Sequence, residues 1–145
     1  DTDTDTDSDT DSDTDTDTDS DTDANPCTTD ICATYGAAVP LVAAQIVDAA
    51  AADPEFADYF APVVAQGTPA VDALKASLTN FISDAYGCTV GSYTGRDMVT
   101  VHTGMGITQQ EYDDFVAMIA AILQADGVPD NDIIGQTTRF LANRK

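Results

Sequence analysis

The segment from Ile107 to Pro129, ITQQEYDDFVAMIAAILQADGVP, is bounded at both ends by its own chemistry. Thr108 and Glu111 have the spacing at which a hydroxyl and a carboxylate satisfy each other's free backbone N–H groups at a helix start. Tyr112, Phe115, Val116, Ile119, Ile122 and Leu123 then recur at the helical period and form one apolar stripe. Gly127 and Pro129 stop the helix. A helix with one apolar face must bury that face against another element, so the rest of the chain has to supply partners.

It supplies more helices. TPAVDALKASLTNFISDAYG carries Val71, Leu74, Leu78, Phe81 and Ile82 on one stripe, with Thr68 as the expected cap and Pro69 at the first helical position. VPLVAAQIVDAAAADPEF is rich in strong helix formers, with Pro40 tolerable in the first turn and Pro54 near the end. TTDICATYGA reads as a short helix capped by Thr28 or Thr29 and ending near Gly36. DNDIIGQTTRFLANRK reads as a weaker final helix. Few segments read as strands. The expectation is an all-α domain of four to six helices over 27–145, preceded by an arm over 1–26.

That arm begins with twelve aspartates alternating with eleven threonines or serines, Asp1 to Asp23. It holds no apolar side chain, so nothing offsets the entropy of ordering it. The 122 residues that follow are enough for one hydrophobic core. The whole chain carries a net charge of −21. Both parts are acidic, which argues against nucleic acid and anionic membrane surfaces as partners. No apolar run is read as approaching the roughly 20 residues that span a bilayer. In an extended chain the hydroxyls of Thr2, Thr4, Thr6, Ser8, Thr10, Ser12, Thr14, Thr16, Thr18, Ser20 and Thr22 share one face. They are candidates for O-linked carbohydrate. The aspartates predict weak Ca2+ association and no specific site, because the glycine and glutamate of a calcium loop are missing.

The first residue is Asp1, and three cysteines are present, Cys27, Cys32 and Cys88. Removal of a leader and one disulfide are the expectations for an extracellular protein. An odd count leaves one thiol over, and inert thiols remain the alternative. No Cys-x-x-Cys pair or Ser-His-Asp order suggests catalysis, so a non-enzymatic role is expected.

His102 is the only histidine, set in YTGRDMVTVHTGMGIT between two apolar helices. One imidazole in a helical pocket is the ligand set that haem iron needs, with the other ring nitrogen donating to a carbonyl or side chain. Together with ICATYGAAVPLVAAQIV, ADPEFADYF and LKASLTNFI, this stretch resembles the truncated haemoglobins of bacteria over about Asp30 to Ile134. The most specific part runs from Tyr93 to Pro129, with the Tyr-Thr-Gly turn, Asp97-Met98, the His-x-Gly-x-Gly-Ile-Thr run and the closing Gly-Val-Pro.

The resemblance implies a two-over-two helical sandwich around haem b. It implies His102 as proximal iron ligand and Phe60 as the aromatic packed on the haem face. Val47, Leu74, Leu78, Phe81 and Met98 are implied as further pocket residues, with Lys75 and Arg96 as partners of the propionates. The distal side departs from the family. Its Phe-Tyr pair is replaced by Ile46-Val47 and its glutamine by Leu78. Cys88 stands at the second glycine of a Gly-Gly turn, and one extra residue follows. An apolar distal pocket lacks a donor for bound dioxygen, so haem binding for gas ligands or redox is expected rather than polar-assisted oxygen chemistry. The other expectation is structural: a globin-like subunit of an extracellular, O-glycosylated filament, with the repeat as its connecting arm.

Overall fold

Ala43, Ile46, Val47 and Ala50 are the centre of the molecule, and they explain its layout. All lie on helix α2, Val39–Ala52, and none is more than 3% exposed. The structure is a computed structural model and describes residues 30–88 and 91–134. Alanines seven residues apart present two small surfaces on one face, so neighbouring helices can approach closely. Full burial of Ile46 and Val47 contributes about 1.5–3 kcal/mol each.

Around α2 stand α1 (Ile31–Tyr35), α3 (Ala57–Val64), α4 (Thr68–Ala85), α5 (Met98–His102) and α6 (Gln109–Ala125). A 3-10 turn, Gly36–Ala38, joins α1 to α2, and a further helical stretch covers 130–134. There is no strand among the described residues, so the fold is all-α. Among the described residues the six labelled α-helices lie within the four to six expected, although α3 and α5 are too short to announce a period. α2 packs against α4 most extensively, then against α3 and α6, and α3 also touches α4. Phe56, buried just before α3, meets Phe115 of α6 edge to face at a centroid distance of 5.5 Å. That pair closes α3 and α6 around the end of α2.

Three details differ from expectation. The cap of α1 is Asp30, whose Oδ1 accepts from the Ala33 amide at 3.0 Å. Thr28 and Thr29 lie outside the described residues. Thr68 is not a cap: α4 starts on it, after Gly67 at φ +90°. A left-handed backbone favours glycine, so the chain reverses at Gly67 and Pro69 fits the first turn behind it. Finally, the 22-residue run Ile31–Ala52 is long and apolar enough, by composition, to cross a membrane. Gln45 and Asp48 interrupt a simple count of apolar residues but not the average. Here about 33% of that run is buried, and Ala43, Ile46, Val47 and Ala50 carry its packing into the core beside α3, α4 and α6.

Cys32 and Cys88 form a disulfide with Cα atoms 5.1 Å apart. It ties α1 to the turn after α4, where the Cys88 amide donates to Ser83 O at 2.8 Å. The Cys32 sulfur also lies 3.2 Å from Tyr86 O; with no proton left on the sulfur, this is a contact and not a hydrogen bond. At the other end, the Tyr35 hydroxyl donates to the buried Asp132 at 2.7 Å and fastens 130–134 to α1. The acidic repeat with its candidate carbohydrate and Ca2+ positions, Cys27, and the remainder of the final helix lie outside the described residues.

Candidate ligand-binding face around His102

His102 ends α5, and its position is set by hydrogen bonds on both sides. Upstream, Asp97 caps the helix: Oδ1 accepts from the Thr100 amide at 2.9 Å and Oδ2 from the Thr100 hydroxyl at 2.6 Å. The Thr100 hydroxyl, followed by the Thr100 amide, holds the Asp97 carboxyl below its ordinary pKa. Downstream, the Thr103 amide and hydroxyl both donate to Val99 O, at 2.9 and 2.6 Å. Gly104 and Gly106, at φ +85° and +71°, then turn the chain in the left-handed region, and the Met105 amide donates to His102 O at 3.2 Å.

The turn delivers the chain to the start of α6, where the capping box forms as the spacing predicted. Glu111 Oε2 accepts from the Thr108 amide at 2.7 Å and hydroxyl at 2.8 Å, and the Glu111 amide donates back to Thr108 Oγ1 at 3.2 Å. The Tyr59 hydroxyl of α3 donates to Oε1 of the same carboxylate at 3.0 Å. These donors, the Thr108 amide first, hold Glu111 below the usual carboxylate range. The bond to Glu111 raises Tyr59 in turn. Nearby Glu55 is raised, first by desolvation and then by Asp114.

The Tyr-Thr-Gly stretch before α5 has a steric reason. The Tyr93 ring folds over Gly95, its hydroxyl donates to Arg96 O at 2.7 Å, and its edge meets Phe81 at 5.5 Å. A Cβ on Gly95 would lie 2.4 Å from the Tyr93 Cζ. The Tyr93 amide also donates to Asp84 of α4.

At the imidazole itself, Nδ1 lies 2.8 Å from Met98 O. A carbonyl oxygen can only accept, so Nδ1 carries the proton. In the neutral ring Nε2 then holds the free lone pair, which is the arrangement an axial metal ligand requires. His102 is exposed, as are Val99 (74%), Val101, Met105 and Ile107 around it. Among the described residues helix α5 has no extensive packing against another helix.

The other sequence-derived candidates are spread over neighbouring elements. Met98 opens α5, half-buried, one turn before His102. Phe60 of α3 and Leu74, Leu78 and Phe81 of α4 are half-buried, and Val47 is buried in α2. Leu78 meets Ile46, Phe115 and Ile119 in a narrow cleft of about 90 Å³ between α2, α4 and α6. A larger apolar groove of about 250 Å³ lies between α1, α2 and the ends of α4 and α6. His102 lines neither. Lys75 pairs with Asp48 of α2 at 2.7 Å, whereas Arg96 is exposed and has no ion pair among the described residues.

The chain matches no family model, no curated protein and no solved structure. Among the described residues no group of three or more His, Cys, Asp or Glu side chains is arranged to hold a metal ion, so a metal at His102 would need most of its ligands from a cofactor. Sequence reasoning missed the Tyr59–Glu111 bond and the Cys32–Cys88 pairing. The sequence spacing accounts for Glu111 only as a local cap. Its second oxygen, free for a partner from elsewhere, was the available signal.

Proposed function

We propose that this chain binds haem b through His102, as a truncated-haemoglobin-like protein with a two-over-two helical arrangement. One observation carries the reading: the Nδ1 proton of His102 is committed to Met98 O, which leaves Nε2 with its lone pair on an exposed, apolar face. The donor chemistry fits a porphyrin iron, since the porphyrin supplies the equatorial nitrogens that the protein lacks. When bound, haem supplies reversible binding of small gas ligands and one-electron redox chemistry.

The chain's own residues do the rest. Asp97 and Thr100 orient α5, and Met98 O fixes the tautomer of His102. Val99, Val101, Met105 and Ile107 offer apolar surface to a flat ligand. Phe60, Leu74, Leu78 and Phe81 are the residues we propose for the opposite side of the ligand, with Val47 behind them. That side has no hydroxyl or amide, so it supports ligand binding or electron transfer rather than chemistry that needs a distal hydrogen bond. Arg96 is the better placed of the two basic residues to meet a propionate, because the charge of Lys75 is answered by Asp48. The Cys32–Cys88 disulfide supports an extracellular location, since such bonds persist in oxidising compartments.

Hemin titrated into the full chain should give a Soret band that His102→Ala abolishes while the far-ultraviolet circular dichroism is unchanged. No Soret band in the wild-type chain, or an undiminished one in the variant, would sink the reading.

A further inference from the structure

We propose that the Cys32–Cys88 disulfide is a redox-sensitive latch on the His102 face, opened by a dithiol reductant. Opening it loosens the 91–108 segment and weakens the hold on the ligand. The ligand part of this inference rests on the haem reading; the latch part does not.

The argument starts from what holds α5. The helix has five residues and, among the described residues, no extensive helix–helix packing, so its place is set by the chain on either side. Downstream it is fastened through the Thr108–Glu111 box and Tyr59. Upstream the fastenings are Cys88 and Tyr93. Tyr93 is held by a hydrogen bond to Asp84 and an edge contact with Phe81, both on α4. Cys88 is held by its amide bond to Ser83 O and by the disulfide to α1. Among the described residues the disulfide is the one covalent fastening, and it joins two elements that are otherwise lightly held. Helix α1 has five residues, anchored by the Asp30 cap, the burial of Ile31 and the Tyr35–Asp132 bond. Both cysteines are half-buried rather than enclosed.

The step balances. One thiolate of the dithiol attacks a sulfur of the pair, the S–S bond breaks, and the other cysteine leaves as thiolate and takes a proton. The second thiolate of the reductant displaces the first cysteine, which also takes a proton. Two electrons reach the protein, and the reductant ends as a disulfide.

The test uses the full chain with Cys27→Ser, so that no third thiol can exchange. One sample stays oxidised; the other is reduced with a dithiol, alkylated and freed of reagent. Hemin affinity is read by absorbance, and hydrogen exchange is followed on the hemin-free chain. Opening should weaken hemin binding about tenfold, the factor for a competent arrangement reduced to a tenth of the population. Exchange should quicken over 91–108, whose amides open locally, whatever fall in α2 and α6 accompanies the lost global stability. Cys32→Ser with Cys88→Ser should reproduce the opened form and be indifferent to reductant. Equal affinity and equal exchange in both forms would overturn the proposal. So would exchange that quickens in α2 and α6 but not over 91–108, since the bond would then be a general staple. If hemin fails to bind the oxidised form, the haem reading fails and the exchange pattern alone decides the latch.

Discussion

Gly95→Ala tests whether the approach to α5 depends on the Tyr93 ring. Gly95 is not among the glycines at positive φ, so alanine meets no backbone penalty there. Its Cβ would lie 2.4 Å from Cζ and Oη of Tyr93 and 2.7 Å from Cε2, far inside contact distance. The ring must therefore leave. It gives up an edge contact with Phe81, worth about 0.5–1.5 kcal/mol, and the hydroxyl bond to Arg96 O, worth about 0.5–1.5 kcal/mol. Alanine also narrows the unfolded ensemble, which returns about 0.4–1 kcal/mol. The expected net loss is about 1–2 kcal/mol, read from urea unfolding by circular dichroism. In a Tyr93→Ala background the clash is gone, so the same substitution should be neutral or slightly stabilising. The cycle should then give a coupling of about 2 kcal/mol. If Gly95→Ala stabilises both backgrounds equally, the ring does not sit over Gly95 and the account of the turn is wrong.

Two further outcomes follow from the structure. Glu111 and Asp97 both have folded pKa values below their ordinary ones, so their contributions are present above the ordinary carboxylate range and are lost as pH falls through the lowered values. Glu55 is shifted the opposite way and partly offsets them on acidification. Urea midpoints should therefore drop on acidification, and Glu111→Gln should flatten that drop; parallel curves for the two proteins would refute the role of Glu111. Removing the Cys32–Cys88 bond, which closes a loop with a sequence separation of 56, should cost about 4 kcal/mol on the chain-entropy estimate. Non-reducing peptide maps should contain the Cys32–Cys88 link, and a link through Cys27 or a midpoint indifferent to reductant would count against the fold at α1.

What could be read from the residues was the part governed by short-range chemistry. The α6 stripe and its Thr108–Glu111 box need only neighbours three and four residues apart, and both formed as expected. So did the long helices α2 and α4, whose Pro and Gly punctuation is local. The cap of α4 was misassigned because Thr68 has a capping side chain, whereas the chain reverses through the backbone freedom of Gly67. The disulfide was hidden for a different reason. Three cysteines allow three pairings, and Cys32 meets Cys88 only once α1 has folded onto the end of α4. The Tyr59–Glu111 bond spans 52 residues and was hidden in the same way. His102 is intermediate: its bond to Met98 O is an i to i−4 helical contact, but its exposure depends on how far α5 stands from the other helices.

That separation bears on why α5 forms at all. A five-residue helix is far too short to be stable on its own in water, and among the described residues α5 has no extensive helical packing to compensate. It is ordered instead by polar fastenings at its ends, Asp97 with Thr100 before it and Thr103 with Val99 after it. These satisfy the backbone without covering the side chains, so Val99 stands 74% exposed beside an exposed histidine whose free nitrogen faces no protein partner among the described residues. A helix built only to complete a core would bury its valines. One held at its ends leaves apolar surface and a lone pair outward, and that is the physical ground on which the haem proposal stands.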